Sequence, residues 1–435
     1  MDLKILPCKK VSGEISVPAD KSISHRAVMI SSLSEGACNI SNLLESDDCL
    51  RTVECFRAMG VPIEKNSAGV YLIRGRGLKG LKVPRDILYV GNSGTSIRLL
   101  VGILAGQDFT STITGDESIK QRPMKRVVEP LRKMGAAIRG RDDGNFAPLE
   151  VKGSVLAPID YTMPVASAQV KSCLMLAALF ADGATKLTEP AASRDHTERM
   201  FSFFDIPFSK DGNVIRLASP GAIKPRDLSI PGDISSAAFF IVAALIVPGS
   251  ALLIKDVGLN PTRTGIIDVL CKMGGQIEIR NKKELFGEPR GDVFVKNSSL
   301  SGIEISGDMI PRMIDEVPAF AVAAAFASGT TVISDAQELK VKESDRIKTT
   351  AGELKKMGAR IEEKEDGLVI EGGFPLKGAV CESHGDHRIA MSLAVAALAS
   401  SGETTVLDCD CIGTSFPGFY TILKDIVGTG TRADG

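Results

Sequence analysis

The stretch Ile97-Arg98-Leu99-Leu100-Val101-Gly102-Ile103-Leu104-Ala105-Gly106 is an apolar helical pattern that ends in glycine, and residues typical of a strand follow it. Because the pattern is apolar nearly all round, we expect the helix to be buried. The pattern occurs in six copies, spaced roughly 70 residues apart. The closing glycines are Gly36, Gly106, Gly183, Gly249, Gly329 and Gly402.

A second feature recurs in step with the first: an amphipathic helix ends in Met-Gly and leads into a short strand. It is found at Met59-Gly60, Met134-Gly135, Met273-Gly274 and Met357-Gly358, with weaker versions at Phe203–Ile206 and Ile422–Ile426. Each unit therefore reads strand–helix–strand–helix–strand–strand, which predicts an α/β (α+β) fold with repeated βαβαββ units and buried parallel helices.

Six units could form one solenoid or two lobes of three. A solenoid needs capping repeats, and the sequence shows none, so we predict two lobes. The Pro-rich stretch Lys224–Gly232 is a plausible crossover between copies three and four. We expect residues 1–18 and 229–435 to form one discontinuous lobe and residues 19–228 the other. The active site is expected in the cleft between them. A first strand near residues 3–17 is expected to pair with the far lobe.

The composition excludes several classes of protein. Lys and Arg number 52 against 53 Asp and Glu, a net charge of −1 that argues against a nucleic-acid or membrane-surface binder. The longest apolar run, Ala237–Val247, is well short of the roughly 20 residues of a membrane helix. The segment that opens with Met1–Ile5 has no apolar core long enough for a signal peptide, so none is expected. Nine cysteines without a Cys-x-x-Cys pattern predict free thiols in a reducing cytoplasm, with no zinc site.

The residues at the starts of the apolar helices are polar and differ between copies. Lys21, Arg26 and Arg388 place cations where the helix dipole opposes them, which favours an anionic ligand carrying phosphate or carboxylate. N-capping is the alternative role for Ser22, Asn92, Ser167 and Ser235. In the remaining basic segments, Arg122 precedes a proline in an extended context. Arg346 follows Lys342 by four residues, so we expect the two to share a helix face. Acidic residues among the basic ones suit proton transfer on small anions.

At these residues the sequence resembles the family of 5-enolpyruvylshikimate-3-phosphate synthases, from Leu6 to Leu423. The motifs that carry the resemblance are Asp20–Arg26, Gly91–Thr95, Gly115–Ser118 with Arg122–Met124, Lys342–Arg346 and Asp386–Met391. The resemblance implies two lobes of three βαβαββ units. It also implies transfer of the enolpyruvyl group of phosphoenolpyruvate to the 5-hydroxyl of shikimate 3-phosphate. The same resemblance implies that phosphate is released through a tetrahedral intermediate and that no metal or cofactor takes part.

The resemblance also implies which residues bind each substrate. Those for shikimate 3-phosphate are Lys21, Ser22, Arg26, Ser167, Ala168, Gln169, Arg194, Asp315 and Lys342. Those for phosphoenolpyruvate are Lys21, Asn92, Gly94, Arg122, Gln169, Arg346 and Arg388. Among catalytic residues, Asp315 is expected to act as base for the hydroxyl and Glu343 to deliver the proton to the methylene carbon. Lys21, near phosphoenolpyruvate, and Lys342, close enough to tune either carboxylate, are expected to complete the catalytic set.

The sequence departs from some family members at two places. Ala168 stands where they have a second serine, and Thr414-Ser415-Phe416-Pro417 lacks their lysine. Ser167-Ala168-Gln169 resembles the glyphosate-tolerant branch, but Gly94 leaves room for that inhibitor, so tolerance is not expected.

Three other functions stay open. The sister enzyme that acts on UDP-N-acetylglucosamine commonly uses a cysteine in the loop corresponding to Ser118–Arg122, where none occurs. RNA terminal-phosphate cyclases share related repeats but would need a nucleotide site. A non-catalytic scaffold would not need Asp315, Lys342, Glu343 and Arg346. We expect a cytoplasmic monomer that binds neither nucleic acid nor membrane.

Overall fold

A computed structural model describes residues 1–427. The tail beyond them, whose order the sequence left open, lies outside the described residues. The chain divides by its internal packing into two units. Within the described residues, the first unit comprises Met1–Pro18, Pro231–Glu284 and Pro289–Val427. The second unit comprises Ala19–Ile230 and the short segment Leu285–Glu288.

The second unit contains three four-stranded sheets with their helices. Its helices are α1 (Lys21–Leu33), α2 (Asp47–Ala58), α3 (Gly94–Ala105), α4 (Glu117–Gln121), α5 (Lys125–Lys133), α6 (Arg141–Gly144), α7 (Ala168–Ala178) and α8 (His196–Phe203). Its strands are β3 (Ala37–Ser41), β4 (Ile63–Lys65), β5 (Tyr71–Arg74), β6 (Leu88–Tyr89), β7 (Thr110–Thr114), β8 (Ala137–Gly140), β9 (Phe146–Lys152), β10 (Asp160–Thr162), β11 (Thr185–Thr188), β12 (Phe208–Asp211), β13 (Val214–Leu217) and β14 (Leu228–Ser229).

The first unit contains two four-stranded sheets and one three-stranded sheet within the described residues. Its helices are α9 (Ile234–Ile246), α10 (Gly265–Lys272), α11 (Met309–Met313), α12 (Val317–Phe326), α13 (Arg346–Lys356), α14 (His387–Leu398) and α15 (Phe419–Val427), with 3₁₀ turns at Gln337–Val341 and Cys409–Thr414. Its strands are β1 (Leu3–Ile5), β2 (Ser12–Ser16), β15 (Ala251–Gly258), β16 (Gln276–Leu285), β17 (Glu288–Lys296), β18 (Glu304–Ile305), β19 (Gly329–Ile333), β20 (Arg360–Glu363), β21 (Leu368–Gly372), β22 (Val380–Glu382) and β23 (Thr404–Leu407).

The sheets share one pattern, which is the predicted repeat. In four of them, the strand before the buried helix runs parallel to the strand after it, as β6 does with β7 and β18 with β19. In the other two, the parallel neighbour of β3 or β15 comes from elsewhere in the chain. The second strand is then antiparallel to one arm of a hairpin in five of the sheets, as in β7–β9–β8. In the sheet of the sixth copy, β1 takes the place of the hairpin and pairs antiparallel with β23. The α/β repeat predicted from the sequence is confirmed.

The amino-terminal segment differs from the single strand expected near residues 3–17. It forms two strands in different sheets of the first unit, because residues 6–11 break the extended run. β1 pairs with β23, whereas β2 runs parallel to β15 from Ser12 opposite Ala251. β2 thus supplies the first strand of the fourth copy. In the second unit, β14 supplies the first strand of the first copy by pairing parallel with β3.

Glycine ends the helices for two different physical reasons. Gly60 follows the C-cap Met59 of α2 and has φ +83°, the left-handed conformation that glycine adopts without strain. Gly106 at the end of α3 has φ −93°, so its conformation does not require glycine. A Cβ atom there would lie 2.2 Å from Cγ of Phe180. Close packing therefore explains this glycine.

Each unit has its own hydrophobic core, built around its apolar helices. Every residue of α9 is buried, and Asp233 caps this helix by accepting a hydrogen bond from the Ser235 N–H at 2.9 Å. Phe239 and Phe240 of α9 stack with Phe416 and Phe419 in the first unit. Among the described residues, no helix is both long and apolar enough to cross a bilayer.

Candidate active site

The polar residues at the helix starts were interpreted as either caps or ligand-binding groups, and the structure separates the two. Asp20 caps α1 by accepting from the Ile23 N–H at 2.8 Å, and Ser93 caps α3 by accepting from the Ser96 N–H at 3.1 Å. N-capping by Ser22, Asn92 and Ser235 is therefore wrong, because a neighbouring residue fills each cap position. Ser167 does cap α7, accepting from the Val170 N–H at 3.4 Å.

Arg122 is brought against the start of α3 in the second unit. Its backbone is extended, as predicted, and its side chain is buried. The guanidinium donates to Oδ1 of Asn92 at 2.7 Å and to Oγ of Ser118 at 3.2 Å. A Cβ atom on Gly94 would lie 3.1 Å from Nη1 of Arg122. The structure thus places three residues predicted to bind phosphoenolpyruvate around one helix N-terminus, where free N–H groups favour an anion.

The first turns of α7 hold side chains from other helices of the second unit. Gln169 accepts from Nη1 of Arg98 at 2.7 Å and donates to Oγ1 of Thr95 at 3.2 Å, which joins α7 to α3. Arg26 of α1 donates through Nη2 to Oγ of Ser172 at 2.6 Å. Because these bonds cross between helices, they fix the predicted ligand residues of three repeats relative to one another.

Arg26 and Lys21 have different environments although both lie on α1. Arg26 is buried, and donates through Nε to Oγ1 of Thr197 at 2.7 Å and through Nη1 to the Ser22 carbonyl at 2.9 Å. Lys21 is half-buried and forms an ion pair with Asp48 at 3.1 Å. The Lys21 ammonium is thus partly exposed beside a helix start, whereas the Arg26 guanidinium is buried between helices.

A buried hydrogen-bond chain lies beneath these helix starts. Nδ1 of His25 is 2.8 Å from Oγ1 of Thr52, which is 2.7 Å from Oγ of Ser96, and Ser96 donates to Oγ of Ser93 at 2.7 Å. Burial lowers the pKa of His25 well below its ordinary value, and nearby Lys21 lowers it further. His25 is therefore neutral at physiological pH, and the chain links α1, α2 and α3 without adding charge.

In the first unit, three carboxylates surround the buried guanidinium of Arg346. Asp386 lies 2.8 Å from Nε, Glu343 lies 2.5 Å from Nη2, and Asp315 lies 3.4 Å from Nη1. Burial acts to lower the pKa of Arg346, but the carboxylates outweigh it and the net shift is upward. Burial acts to raise the pKa of Asp386, and the Arg346 guanidinium outweighs it so that the net shift is downward. Both groups stay charged at neutral pH.

Lys342 reaches the same cluster, but not as the spacing predicted. Helix α13 begins at Arg346 with Asp345 as its cap, while Lys342 has an extended backbone after the 3₁₀ turn. The shared helix face is therefore wrong, since the helix starts four residues too late. Nζ of Lys342 still lies 3.5 Å from Oδ1 of Asp315. Arg388 donates through Nη1 to the Asp315 carbonyl at 2.9 Å.

The remaining predicted residues are placed as follows. Arg194 lies half-buried in the loop between β11 and α8, and Ala168 is the first residue of α7. Two residues that the structure adds were not assigned from the sequence. Arg98 is a buried cation and the one charged residue of α3, and that isolation is the signal that could have found it. Asp386 is a fully buried carboxylate at a helix cap, for which the sequence offers no signal beyond its motif.

Comparison with known proteins gives consistent matches along the whole chain. The family profile described as EPSP synthase (3-phosphoshikimate 1-carboxyvinyltransferase) matches residues 5–423. A 3-phosphoshikimate 1-carboxyvinyltransferase of Desulforamulus reducens is 55% identical over 427 residues, covering 98% of this chain and 100% of the relative. One from Geobacter sulfurreducens is 54% identical over 97% of this chain and 98% of the relative. A solved EPSP synthase of Acinetobacter baumannii has a TM-score of 0.89 at 44% identity, with both chains covered completely.

Proposed function

This chain belongs to the EPSP synthase family, and we propose on that basis that it catalyses the carboxyvinyl transfer for which its relatives are named. The enolpyruvyl group of phosphoenolpyruvate passes to the 5-hydroxyl of shikimate 3-phosphate, and phosphate leaves. This reaction belongs to the shikimate pathway of aromatic amino acid biosynthesis. The observation that carries the proposal is the full-length match to the family at more than half sequence identity.

The proposal assigns the two substrates to the polar helix starts. Shikimate 3-phosphate binds Lys21, Ser22, Arg26, the Ser167–Gln169 turn, Arg194, Asp315 and Lys342. Phosphoenolpyruvate binds Lys21, Asn92, Gly94, Arg122, Gln169, Arg346 and Arg388. Arginine suits these multiply charged ligands because its planar guanidinium binds phosphate and carboxylate through two parallel hydrogen bonds. The proposed site lies in a cleft between two lobes, residues 1–18 with 229–435 and residues 19–228.

The carboxylates around Arg346 account for the proton transfers. In the addition step, the 5-hydroxyl oxygen bonds to C2 of phosphoenolpyruvate, Asp315 takes the hydroxyl proton, and Glu343 gives a proton to C3. In the elimination step, Glu343 takes a proton back from C3 and the bond from C2 to the phosphate oxygen breaks. The phosphate leaves with that electron pair and takes up the proton from Asp315. Because Arg346 lies within 3.4 Å of Asp315 and 2.5 Å of Glu343, one cation orients both carboxylates. Lys342, 3.5 Å from Asp315, stabilises that carboxylate.

The overall reaction is tested by measuring phosphate release from phosphoenolpyruvate with each acceptor in turn. We expect turnover with shikimate 3-phosphate and none with UDP-N-acetylglucosamine. Turnover with the nucleotide sugar alone would refute the proposal, and so would ATP-dependent cyclisation of an RNA 3′-phosphate without phosphate release from phosphoenolpyruvate. Absence of every activity in a folded sample would favour a scaffold.

The roles of the two carboxylates are tested by separate substitutions. Asp315→Asn and Glu343→Gln keep the size of each side chain and remove its proton-transfer ability, so we expect kcat to fall about 10²- to 10⁴-fold. Glu362→Gln, on the exposed strand β20, is the matched control and should leave kcat unchanged. A loss of less than threefold in either site variant would remove that residue from the proton-transfer steps.

The proposal also includes a monomer in the cytoplasm that uses no metal or organic cofactor and binds neither nucleic acid nor membrane.

The two lobes are proposed to close on the substrates, which excludes water and aligns the reacting atoms. Small-angle scattering should show compaction when shikimate 3-phosphate and an inhibitor are added together. An unchanged radius of gyration at saturation would contradict closure.

A further inference from the structure

Helix α7 carries a lysine that is completely buried, Lys171. Its ammonium contacts three oxygens: Oε2 of Glu189 at 3.0 Å, Oε1 of Glu198 at 2.7 Å and the carbonyl oxygen of Ser193 at 3.3 Å. An ammonium has three N–H donors, so these acceptors match its full capacity. Burying such a group is costly unless it is paired, and here both carboxylates are buried as well.

Glu189 connects this lysine to a loop. Its other carboxylate oxygen, Oε1, accepts from the backbone N–H of Ser193 at 3.2 Å and from the Ser193 hydroxyl. The loop between β11 and α8 is therefore held at Ser193 by the Lys171 ammonium, through the carbonyl, and by Glu189, through the N–H and the hydroxyl. The next residue along the chain is Arg194.

The other end of Lys171 is tied to the start of α7. Its backbone N–H donates to the Ser167 carbonyl at 3.0 Å, within the first helical turn. A continuous path of bonds therefore runs from Ser167 through Lys171 and Ser193 to Arg194. Ser167 and Arg194 are two of the residues to which the proposed function assigns shikimate 3-phosphate.

We propose that Lys171 is a positioning residue that sets the distance between Ser167 and Arg194 and thereby determines the affinity for the phosphate of shikimate 3-phosphate. This inference rests on the proposed function. Lys171 itself does not touch the substrate, because its ammonium is enclosed by its three partners. The effect is specific to one substrate, since the residues assigned only to phosphoenolpyruvate lie on other elements.

The chain contains a matched pair of variants for the test. Glu189→Gln leaves one oxygen acceptor where two are needed to bind both Lys171 and Ser193. Glu198→Gln weakens the binding of the Lys171 ammonium but not that of Ser193, because Glu198 has no hydrogen bond to Ser193. Both carboxylates are buried, and Glu198 also pairs with Lys210 at 3.3 Å. The dissociation constant of shikimate 3-phosphate is measured by calorimetry, and kcat and the KM for phosphoenolpyruvate by phosphate release.

We expect Glu189→Gln to weaken shikimate 3-phosphate binding about tenfold. Glu198→Gln should weaken it less than about twofold, and kcat and the KM for phosphoenolpyruvate should change less than about twofold in both variants. In an Arg194→Ala background, Glu189→Gln should add less than about twofold, because the loop then carries no phosphate ligand. Lys171→Arg keeps the charge and should recover most of the affinity that Lys171→Met loses.

Four results would each overturn the inference. They are equal effects of Glu189→Gln and Glu198→Gln, a matching loss for phosphoenolpyruvate, full additivity with Arg194→Ala, and unchanged binding in Arg194→Ala alone. These failures are distinct from failure of the proposed function, because wild-type turnover with shikimate 3-phosphate is measured first on the same preparation. Glu189→Gln keeps the test informative if Lys171→Met does not fold.

Discussion

The ion cluster around Arg346 predicts a strong energetic coupling between Arg346 and Asp386. Asp386 accepts from Nε of Arg346 at 2.8 Å and from Nη2 at 3.2 Å, and both side chains are almost wholly buried. Arg346→Met keeps an unbranched apolar stem, shorter than arginine, and leaves buried carboxylates without their cation. Such a loss typically costs about 3–5 kcal/mol in the free energy of unfolding.

Asp386→Asn should cost less. The asparagine keeps an oxygen that can accept the hydrogen bond from the Arg388 backbone N–H, which is 2.9 Å long in the wild type. Arg346 also keeps its ion pairs with Glu343 and Asp315. Losing one charge-assisted bond costs about 1.5–3 kcal/mol. In the double variant the unpaired charge at Asp386 no longer exists, so we expect the combined cost to fall short of the sum by about 1–3 kcal/mol.

Acid pH provides a second measure of the same pair. In the wild type the pKa of Asp386 is lowered, so its contribution to stability is present above the unfolded value of about 3.9 and is lost only as the pH falls through the lower folded value. In Arg346→Met, burial acts without the guanidinium and raises that pKa. The stability deficit of Arg346→Met should therefore shrink between pH 7.5 and pH 5.5.

Unfolding in guanidinium chloride is monitored by circular dichroism, because the chain has no tryptophan whose fluorescence could report the transition. Amide hydrogen exchange in α13 and α14 gives the local stability in case the two units unfold separately. Single-variant costs that add to within about 0.5 kcal/mol would refute the coupling. A deficit for Arg346→Met that grows on acidification would refute the assignment of a buried unpaired carboxylate.

Three further predictions follow from other parts of the structure. Because the pKa of His25 is lowered in the folded protein, the unfolded chain binds one more proton than the folded chain below about pH 6.5. The free energy of unfolding of the wild type should therefore fall there, by up to about 1.4 kcal/mol per pH unit from this group. His25→Asn should remove that slope, and an unchanged slope would contradict a buried neutral imidazole. Gly94→Ala should raise the KM for phosphoenolpyruvate about tenfold, because the new Cβ would lie 3.1 Å from Nη1 of both Arg98 and Arg122 and displace both guanidinium groups. A KM equal to that of the wild type would contradict this prediction and show that those guanidinium groups can move freely. Cys271 is exposed, so it should be alkylated first under native conditions as mapped by mass spectrometry. Thiols that are buried should stay protected, and early modification of any of them would contradict the packing described: Cys38, Cys49, Cys55, Cys173, Cys381 and Cys409.

The repeated architecture could be predicted because its signals are local and occur many times. An apolar helix, a closing glycine and a Met-Gly cap each depend on a few adjacent residues, and six copies in phase reinforce one another. Arg122 was also predictable, since a following proline restricts its backbone to the extended region. The sequence analysis expected the amino-terminal strand to pair with the far lobe, but not that β1 would replace a hairpin in the sixth sheet, because the identity of a distant partner strand leaves no local pattern.

Helix boundaries and long-range ion pairs account for what the sequence missed at the site. Whether Asp20 or Ser22 caps α1 depends on the backbone angles of one residue, and both are good capping residues. The prediction that Lys342 shares a helix face with Arg346 failed for the same reason, because the first residue of α13 depends on local backbone angles. The partners of Lys171 lie 18 and more residues away, so no spacing rule connects them. Only the lysine itself, alone on an apolar helix, could have indicated a buried ion pair.

The pairing of β2 with β15 has a consequence for how the protein is made. The backbone N–H of Val11, just before β2, is bonded to Ser250, 239 residues later in the chain. On the ribosome, the nascent amino-terminal strands therefore emerge long before their partners. The second unit can complete its sheets once β14 has been synthesised, while β1 and β2 must wait with unpaired edges. Biosynthesis should thus favour folding of the second unit first, and β1 and β2 expose unpaired edges to aggregation until the strands of the first unit have been made.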